Sequence, residues 1–441
     1  MIELLVRRWH RLQQRAHPPV TPIAPVSLRD PDPTATRVLD TRPRVAAILH
    51  QNIVPFWLPG CLDPEHGGYL LHHDPAGRWL GPAPRHTVAQ ARTCWFFSRL
   101  ARSGGGSAAL EAAATGYRFL RDHCWDPTGG GFAWAVSHDG TQVTDPRKLL
   151  MAQTFGLYAV AEFGAATGDP EVAGFACQVA ELLEQRFHDP AWGGYHQGFD
   201  AGGKPILPPR KTLNEHMHVL EALSAASRLV GPPGLRDRLQ ELLQIHTSTV
   251  VRKTRGACTD LYDERWTPLL TEDRGAVSYG HDIESVWLVA DGCAALGLPV
   301  ALVADWVRVT CAVTLRWGWD RAGGGVYFAG PLDGPPWDRR KVEWVQGEVA
   351  AGALFAYRLT GDPELAELYL STLDWISRRQ LDEAGGEWHA VIEEDGRVSG
   401  DKAGLWKSPY HNGRGMLMCL DLLEPGPLRL GPDSLIHLPG L

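Results

Sequence analysis

Apolar residues recur at steps of three and four along six stretches of the chain, 86–102, 147–167, 211–230, 279–296, 341–360 and 404–423. That period predicts a helix in each. Each of the first five is followed by a short polar or Gly/Pro break and a second periodic run, as at 108–123, 171–187 and 235–250. ATGDP from Ala166 and LTGDP from Leu359 are near-identical breaks, in which glycine ends one helix and Asp-Pro opens the next. With a lead helix over 41–57 the pattern predicts about twelve helices.

The segments between these helix pairs also repeat. LDPEHGGY from Leu62, WDPTGGGF from Trp125, HDPAWGGY from His188, WDRAGGGV from Trp319 and LDEAGGEW from Leu381 share an Asp, a double glycine and a flanking aromatic or apolar residue. Their first paired glycines, Gly67, Gly130, Gly193, Gly324 and Gly385, step by 63, 63, 131 and 61 residues. The long step is two ordinary ones, and TDLYDERWTPL from Thr259 is the candidate worn copy, so six repeats are expected. A unit of this length cannot bury its apolar face alone. Six helical hairpins form an open solenoid or a closed ring, and closure suits the length. The glycine segments read as short β-hairpins at one end. The expected class is all-α, with residues 1–39 a Pro/Arg-rich extension, 40–423 the helical domain and 424–441 a tail.

Composition narrows the function classes. A formal net charge of −8 supplies no basic face for nucleic acid. No stretch approaches the roughly 20 apolar residues of a membrane span. The opening MIELLVRRWHRLQQR is too charged for a secretory signal core. Eight scattered cysteines without a C-x-x-C pair suit a reducing compartment, so the expectation is a cytoplasmic protein, monomer or homodimer. Seventeen Trp residues, many at the glycine turns or beside histidines, offer flat faces of the kind that stack on sugar rings as well as ordinary core.

The polar constellations fall at the starts of the first helices of successive repeats, positions that converge on one cavity if the hairpins form a ring. In NEHMHVLEA, Asn214 and His218 share a helical face while His216 lies about 200° from His218, so one histidine points inward. In SYGHDIESVW, His281 and Glu284 are three apart and can touch, a spacing in which a carboxylate orients a general base. In WKSPYHNGR, Trp406, His411 and Arg414 crowd beside Lys407 and Tyr410. Arg92, the one charge in QARTCWFF, needs an anionic or oxyanion partner. H-x-H has the wrong spacing for one helical face, no H-E-x-x-H accompanies it, and the GGG runs lack a following Lys-Ser/Thr. Neither a metal nor any other cofactor is expected.

QAR…W with Trp95, DxRKxxxxQ with Lys148 and Gln153, NxHxHxLEA, GHDIE, Trp344, Gln346 and Glu348 in W-x-Q-x-E, and WKSPYHNGR together resemble the N-acylglucosamine 2-epimerase superfamily, and within it are most similar to cellobiose 2-epimerases. The resemblance spans about residues 53–423. It implies an (α/α)6 barrel and inversion at C2 of a reducing-end aldose, as in cellobiose or lactose, through ring opening and a cis-enediolate. On that resemblance His281 and His411 are the acid/base pair, Glu284 supports the first, Arg92 stabilises the enediolate, and His218 and Asn214 hold O1 and O2. Trp344 and Trp406 match sugar-stacking positions; Trp388, Trp95, Glu348 and Arg414 complete the expected substrate-binding set.

Two departures bear on the substrate. Where cellobiose 2-epimerases commonly read EWFW, this chain has Glu387, Trp388, His389 and Ala390, and the Trp often doubled before W-x-Q-x-E is Glu343. A monosaccharide such as mannose or glucose, epimerised or isomerised to the ketose, needs less of that platform and is the alternative. Glycoside hydrolases and lyases also use (α/α)6 rings, but no carboxylate pair stands out here to serve as their acid and base.

Overall fold

A computed structural model of the protein describes residues 26–28, 33–270, 277–425 and 428. Most of the expected extension, including the charged opening, and most of the C-terminal tail lie outside the described residues. The end of the extension forms helix α1, Pro33–Leu39, which buries Ala35 and Val38 and pairs Arg37 with Glu367 at 2.5 Å. The lead helix follows as α2, Arg42–Ala47, continued by a π turn, Ile48–Ile53, into α3, Val54–Trp57.

Five helix pairs come next: α4 Thr87–Leu100 with α5 Gly106–Phe119, α6 Leu150–Thr167 with α7 Pro170–Leu182, α8 Leu213–Leu229 with α9 Leu235–Gln244, α10 Tyr279–Ala295 with α11 Ala304–Val313, and α12 Glu343–Thr360 with α13 Pro363–Trp375. The last helix is α14, His411–Leu422. Asp169 and Asp362 cap α7 and α13 ahead of their prolines, as the two GDP breaks predict.

Burial separates the two members of each pair. Every residue of α4 is buried and, in α12, every residue but Trp344, whereas α9 buries only Leu235, Leu239, Leu242 and Leu243. The first helices therefore form an inner layer, packed in order α4, α6, α8, α10, α12, α14, and the second helices lie outside it. The outer partner of α14 is the lead helix from the other end of the chain. α14 also touches α4, where Arg99 donates to Asp421 at 2.8 Å. Among the described residues no helix is long and apolar enough to cross a membrane.

The glycine repeats are a clamp. In each of the five copies the residue before the Asp bridges antiparallel to the residue after the turn, as in Leu62 with Tyr69 and Trp125 with Phe132. The Asp side chain accepts backbone N–H groups of its own turn, and a basic residue ahead of the next inner helix reaches back to the turn: Arg85, Lys148, Lys211 and Lys341, each two residues before its helix, and Lys402 in the loop before α14. Lys211, for example, lies 2.7 Å from Asp189 and 2.5 Å from the carbonyl of Gly193. The fourth residue of the inner helix completes the clamp. Gln90, Gln153 and Gln346 each accept from, and donate to, the backbone of the residue that ends the turn. Buried backbone groups need such partners.

The worn copy is elsewhere than the sequence suggests. The turn in the fourth place is the hairpin Val251–Arg252 with Ala257–Cys258, held by Asp282, the fourth residue of α10, whose carboxylate accepts the Cys258 N–H at 3.1 Å. It keeps one left-handed glycine, Gly256, and has lost the Asp-Gly-Gly signature. Thr259 to Trp266, read as the worn turn, instead contains the strand Leu261–Asp263, paired with Arg210–Thr212 ahead of α8.

Candidate active site

Two residues beyond each clamp residue, about 200° around the helix, stand Arg92, Phe155, His218, Glu284, Glu348 and, after Asn412 in α14, Arg414. The clamp faces its turn, so these side chains face the middle of the inner layer, and all six are buried. A sequence that repeats for structural reasons at one position is thereby free to vary for chemistry two positions on.

Arg414 organises this layer. It donates to Glu221 and Tyr410, and its other terminal nitrogen lies 2.5 Å from Glu284 and 2.6 Å from Glu348. Burial opposes its charge, yet Glu221, Glu348 and Glu284 hold the guanidinium well above its usual range. Burial also works against the charge of Glu221, but Arg414, His218 and Tyr410 hold its carboxyl below the usual value. Glu284 has the opposite outcome: burial, with the adjacent Glu348, pushes it well up.

Three imidazoles border this network. His411 donates from Nδ1 to Glu348 at 2.7 Å, leaving Nε2 available. That contact depends on Gly347, where a Cβ would come within 2.9 Å of the His411 carbonyl. His218 donates from Nδ1 to Glu221 at 2.9 Å. His281 and His411 both lie against the indole of Trp344, with ring centroids 4.8 and 5.6 Å away. Gly280 leaves room for that indole, since a Cβ there would meet it at 2.5 Å. Burial lowers all three histidines: His218 to about 4 against the pull of Glu221, His281 against Asp260 and Glu348, and His411 well below its ordinary value, with Arg92 and Arg414 adding to the effect. At neutral pH these imidazoles are uncharged and able to accept a proton.

Arg92 lies over Phe155 at 4.2 Å and Tyr410 at 5.0 Å and donates to the Trp406 carbonyl at 3.4 Å, while its Nε is buried with no partner. Among the described residues no carboxylate pairs with it. A buried cation with an unused donor suits an oxyanion that arises only during reaction. Glu284, Glu348 and His411 bring possible metal-ligand atoms within 4.8 Å of one another. Arg414 already places a positive charge on both carboxylates through one oxygen of each, and His411 donates to Glu348.

The layer brings together His281, His411, Glu284, Arg92, His218, Glu348 and Trp344, with Asn214 half-buried at the first turn of α8, its N–H on Asp260 at 2.9 Å. Trp406 stands at the edge, 52 % exposed and 6.1 Å from Trp134. Four expectations need correction. Glu284 meets Arg414 through Oε1 and not His281, and its Oε2 is buried without a partner. Arg414 is fully buried with its terminal nitrogens on protein carboxylates and Tyr410, and only its Nε is left without a partner. Trp388 is 0 % exposed in the clamp of the last turn, and Trp95 is buried with its ring stacked on Tyr158 at 5.0 Å, so neither presents a free face. Of the two histidines in H-x-H, His216 is the clamp, accepting the Tyr195 N–H at 2.8 Å and donating to the Thr212 carbonyl at 2.7 Å. Glu221, Asp260 and the Tyr410 hydroxyl went unassigned from sequence. Glu221 was findable, since it lies three residues past His218, the spacing that drew attention to His281 and Glu284.

A family model described as N-acylglucosamine 2-epimerase (GlcNAc 2-epimerase) matches residues 68–413. The chain belongs to this family. A cellobiose 2-epimerase of Bacteroides fragilis is 30% identical over 393 residues, covering 85% of this chain and 96% of the relative. The human N-acylglucosamine 2-epimerase is 24% identical over 385 residues, covering 84% and 87%. The solved structure of cellobiose 2-epimerase from Spirochaeta thermophila superposes with a TM-score of 0.80 at 33% identity, covering 89% of this chain and 99% of that one. As a member of this epimerase family the protein is a sugar 2-epimerase, an isomerase with a small carbohydrate substrate.

Proposed function

We propose that the protein inverts C2 of the reducing-end aldose of a glucose-type disaccharide such as cellobiose, through ring opening and a cis-enediolate, with His281 and His411 as the acid/base pair. The observation that carries this reading is the pair of imidazoles on one indole, Trp344, beside a buried Arg92 that pairs with no carboxylate among the described residues and whose Nε has no partner. Inversion needs two groups, because a single base returns the proton to the face it left. One histidine takes the C2 proton, the C–H electrons move toward C1, and the negative charge that grows on O1 meets Arg92. The other histidine delivers a proton to the opposite face. His411, held through Nδ1 by Glu348, works through Nε2; His218, held by Glu221, serves O1 and O2 with Asn214 and assists ring opening.

The surrounding architecture is read in the same way. The six inner helices close into an (α/α)6 ring over residues 40–423, with α1 packed on its outside and the lead helix completing the sixth hairpin. Trp406, half exposed beside Trp134, is the stacking wall for a second sugar. One observation favours the alternative of a free monosaccharide, epimerised or isomerised to a ketose: Glu343 and Ala390, where relatives commonly carry indoles, adjoin each other, the Glu343 N–H donating to the Ala390 carbonyl at 2.9 Å. Proton NMR in D2O with cellobiose, lactose, mannose, glucose and N-acetylglucosamine tests both. Loss of the C2 proton signal with a new 2-epimer from a disaccharide supports the first reading, and exchange restricted to monosaccharides replaces it with the second. Absence of exchange from every sugar overturns the enediolate assignment.

A further inference from the structure

Glu387 is out of place in its turn. In four of the glycine turns the residue next to the bridging aromatic or Val is a left-handed glycine, Gly68, Gly131, Gly194 or Gly325; in the last turn it is Glu387, with φ of 63°. A side chain in that conformation costs about 1 kcal/mol or more. The turn itself does not need the carboxylate, because Lys402 clamps it, 2.7 Å from Asp382 and 2.6 Å from the Gly386 carbonyl.

What the carboxylate does instead is join three segments. Fully buried, it accepts from Trp57 at the end of the lead helix, from Asn412 in the first turn of α14, and from Lys407 at 2.5 Å. Asn412 directly follows His411, and Lys407 directly follows Trp406. In α4, α6, α8 and α12 the clamp residue binds turn backbone; in α14 the equivalent Asn412 binds this side chain. Glycine here would relax the backbone and leave the Trp57 and Asn412 donors without an acceptor, and Lys407 with only the more distant Glu343, 4.0 Å away.

We infer that Glu387 is a positioning residue: from a strained backbone its carboxylate fixes His411 through Asn412, and Trp406 through Lys407, in the places that C2 inversion requires. The inference rests on the roles proposed above for His411 and Trp406. Strain kept at a site where an unstrained residue was available is consistent with a functional constraint.

Two variants test it by C2 exchange kinetics in D2O on the full chain. Asn412→Ala cuts the link to the His411 helix, together with the local Gly413 N–H contact, and leaves Trp57 and Lys407 on Glu387; kcat is expected to fall by about tenfold or more with KM little changed, because misplacing a reacting group costs rate before binding. Glu387→Gly relieves the strain and frees both links, so the same loss in kcat is expected together with a raised KM, while circular dichroism reports an unchanged helix content. If Glu387 served only the turn, Glu387→Gly would match the wild type. Retention of kcat within about twofold by either folded variant overturns the inference, and should Glu387→Gly not fold, Asn412→Ala decides alone. A wild-type protein inert toward every sugar removes the underlying reading instead, whatever the variants do.

Discussion

At the scale of single residues the two-histidine assignment makes a sharper demand than loss of activity. His281→Ala and His411→Ala each remove one face, so epimer formation is expected to fall by about 10²–10⁴ while the remaining histidine still exchanges C2 protons without inversion. The two variants should therefore label opposite epimers with deuterium, and NMR of each separated epimer checks this; labelling of the same epimer by both would sink the assignment. The pH profile follows from burial. Since His281 and His411 are held below the ordinary imidazole value, the acid limb of kcat/KM is expected below pH 6.5, not at or above it. Arg414→Met is a different kind of change, because it strands three buried carboxylates. A loss of about 3–5 kcal/mol is expected by chemical denaturation, and Arg414→Lys should not rescue it, since an ammonium cannot reproduce the fork that reaches Glu284 and Glu348 together.

At the scale of elements, the outer helices carry a separable test of linkage. His246, at the end of the third outer helix, is fully buried, donates to the Leu242 carbonyl at 2.7 Å and is pushed down to about 4 by burial. Between its unfolded value near 6.5 and about 4 the unfolded chain binds a proton that the folded protein refuses, so this residue subtracts stability as pH falls through that window. His246→Leu should lose less stability than the wild type between pH 7 and 4, by on the order of 3 kcal/mol, measured as the difference between two urea titrations at each pH. Raised acids such as Glu343, at about 7, act in the opposite sense, which is why the comparison is made between variants. The elements were legible in the sequence because their causes are local: three- and four-residue periodicity for α4 to α14, glycine and Asp-Pro for the breaks, Asp-Gly-Gly for the turns. The worn turn was misplaced because a hairpin with one left-handed glycine can replace that signature. Periodicity also identifies which side of a helix is inside without saying what meets there. Arg414, Glu221, Glu284 and Glu348 come from four helices, and only their assembly shows that Arg414 takes the carboxylate His281 was expected to have.

At the scale of the whole molecule, the polar centre lies near the N-terminal ends of the inner helices, the end to which every strand pair and glycine turn is tied, and Trp406 stands where that end opens to solvent. On the proposed reading, a reducing-end sugar bound between Trp344, His281 and His411 would direct its remaining substituents toward that opening, and the rim would then read the length of the substrate. Trp406 supplies one exposed indole, with the buried Trp134 beside it, and Glu343 and Ala390 supply none. If the second unit of a disaccharide stacks on Trp406, removing that indole costs the disaccharide about 1 kcal/mol of binding and a free hexose much less. Trp406→Ala is then expected to raise KM for cellobiose by about fivefold with kcat nearly retained, and to change KM for mannose by less than about twofold. Initial rates of C2 exchange for both sugars measure this. Equal effects on the two would mean that Trp406 stacks on the reacting ring itself, and the rim would then hold no second-sugar site.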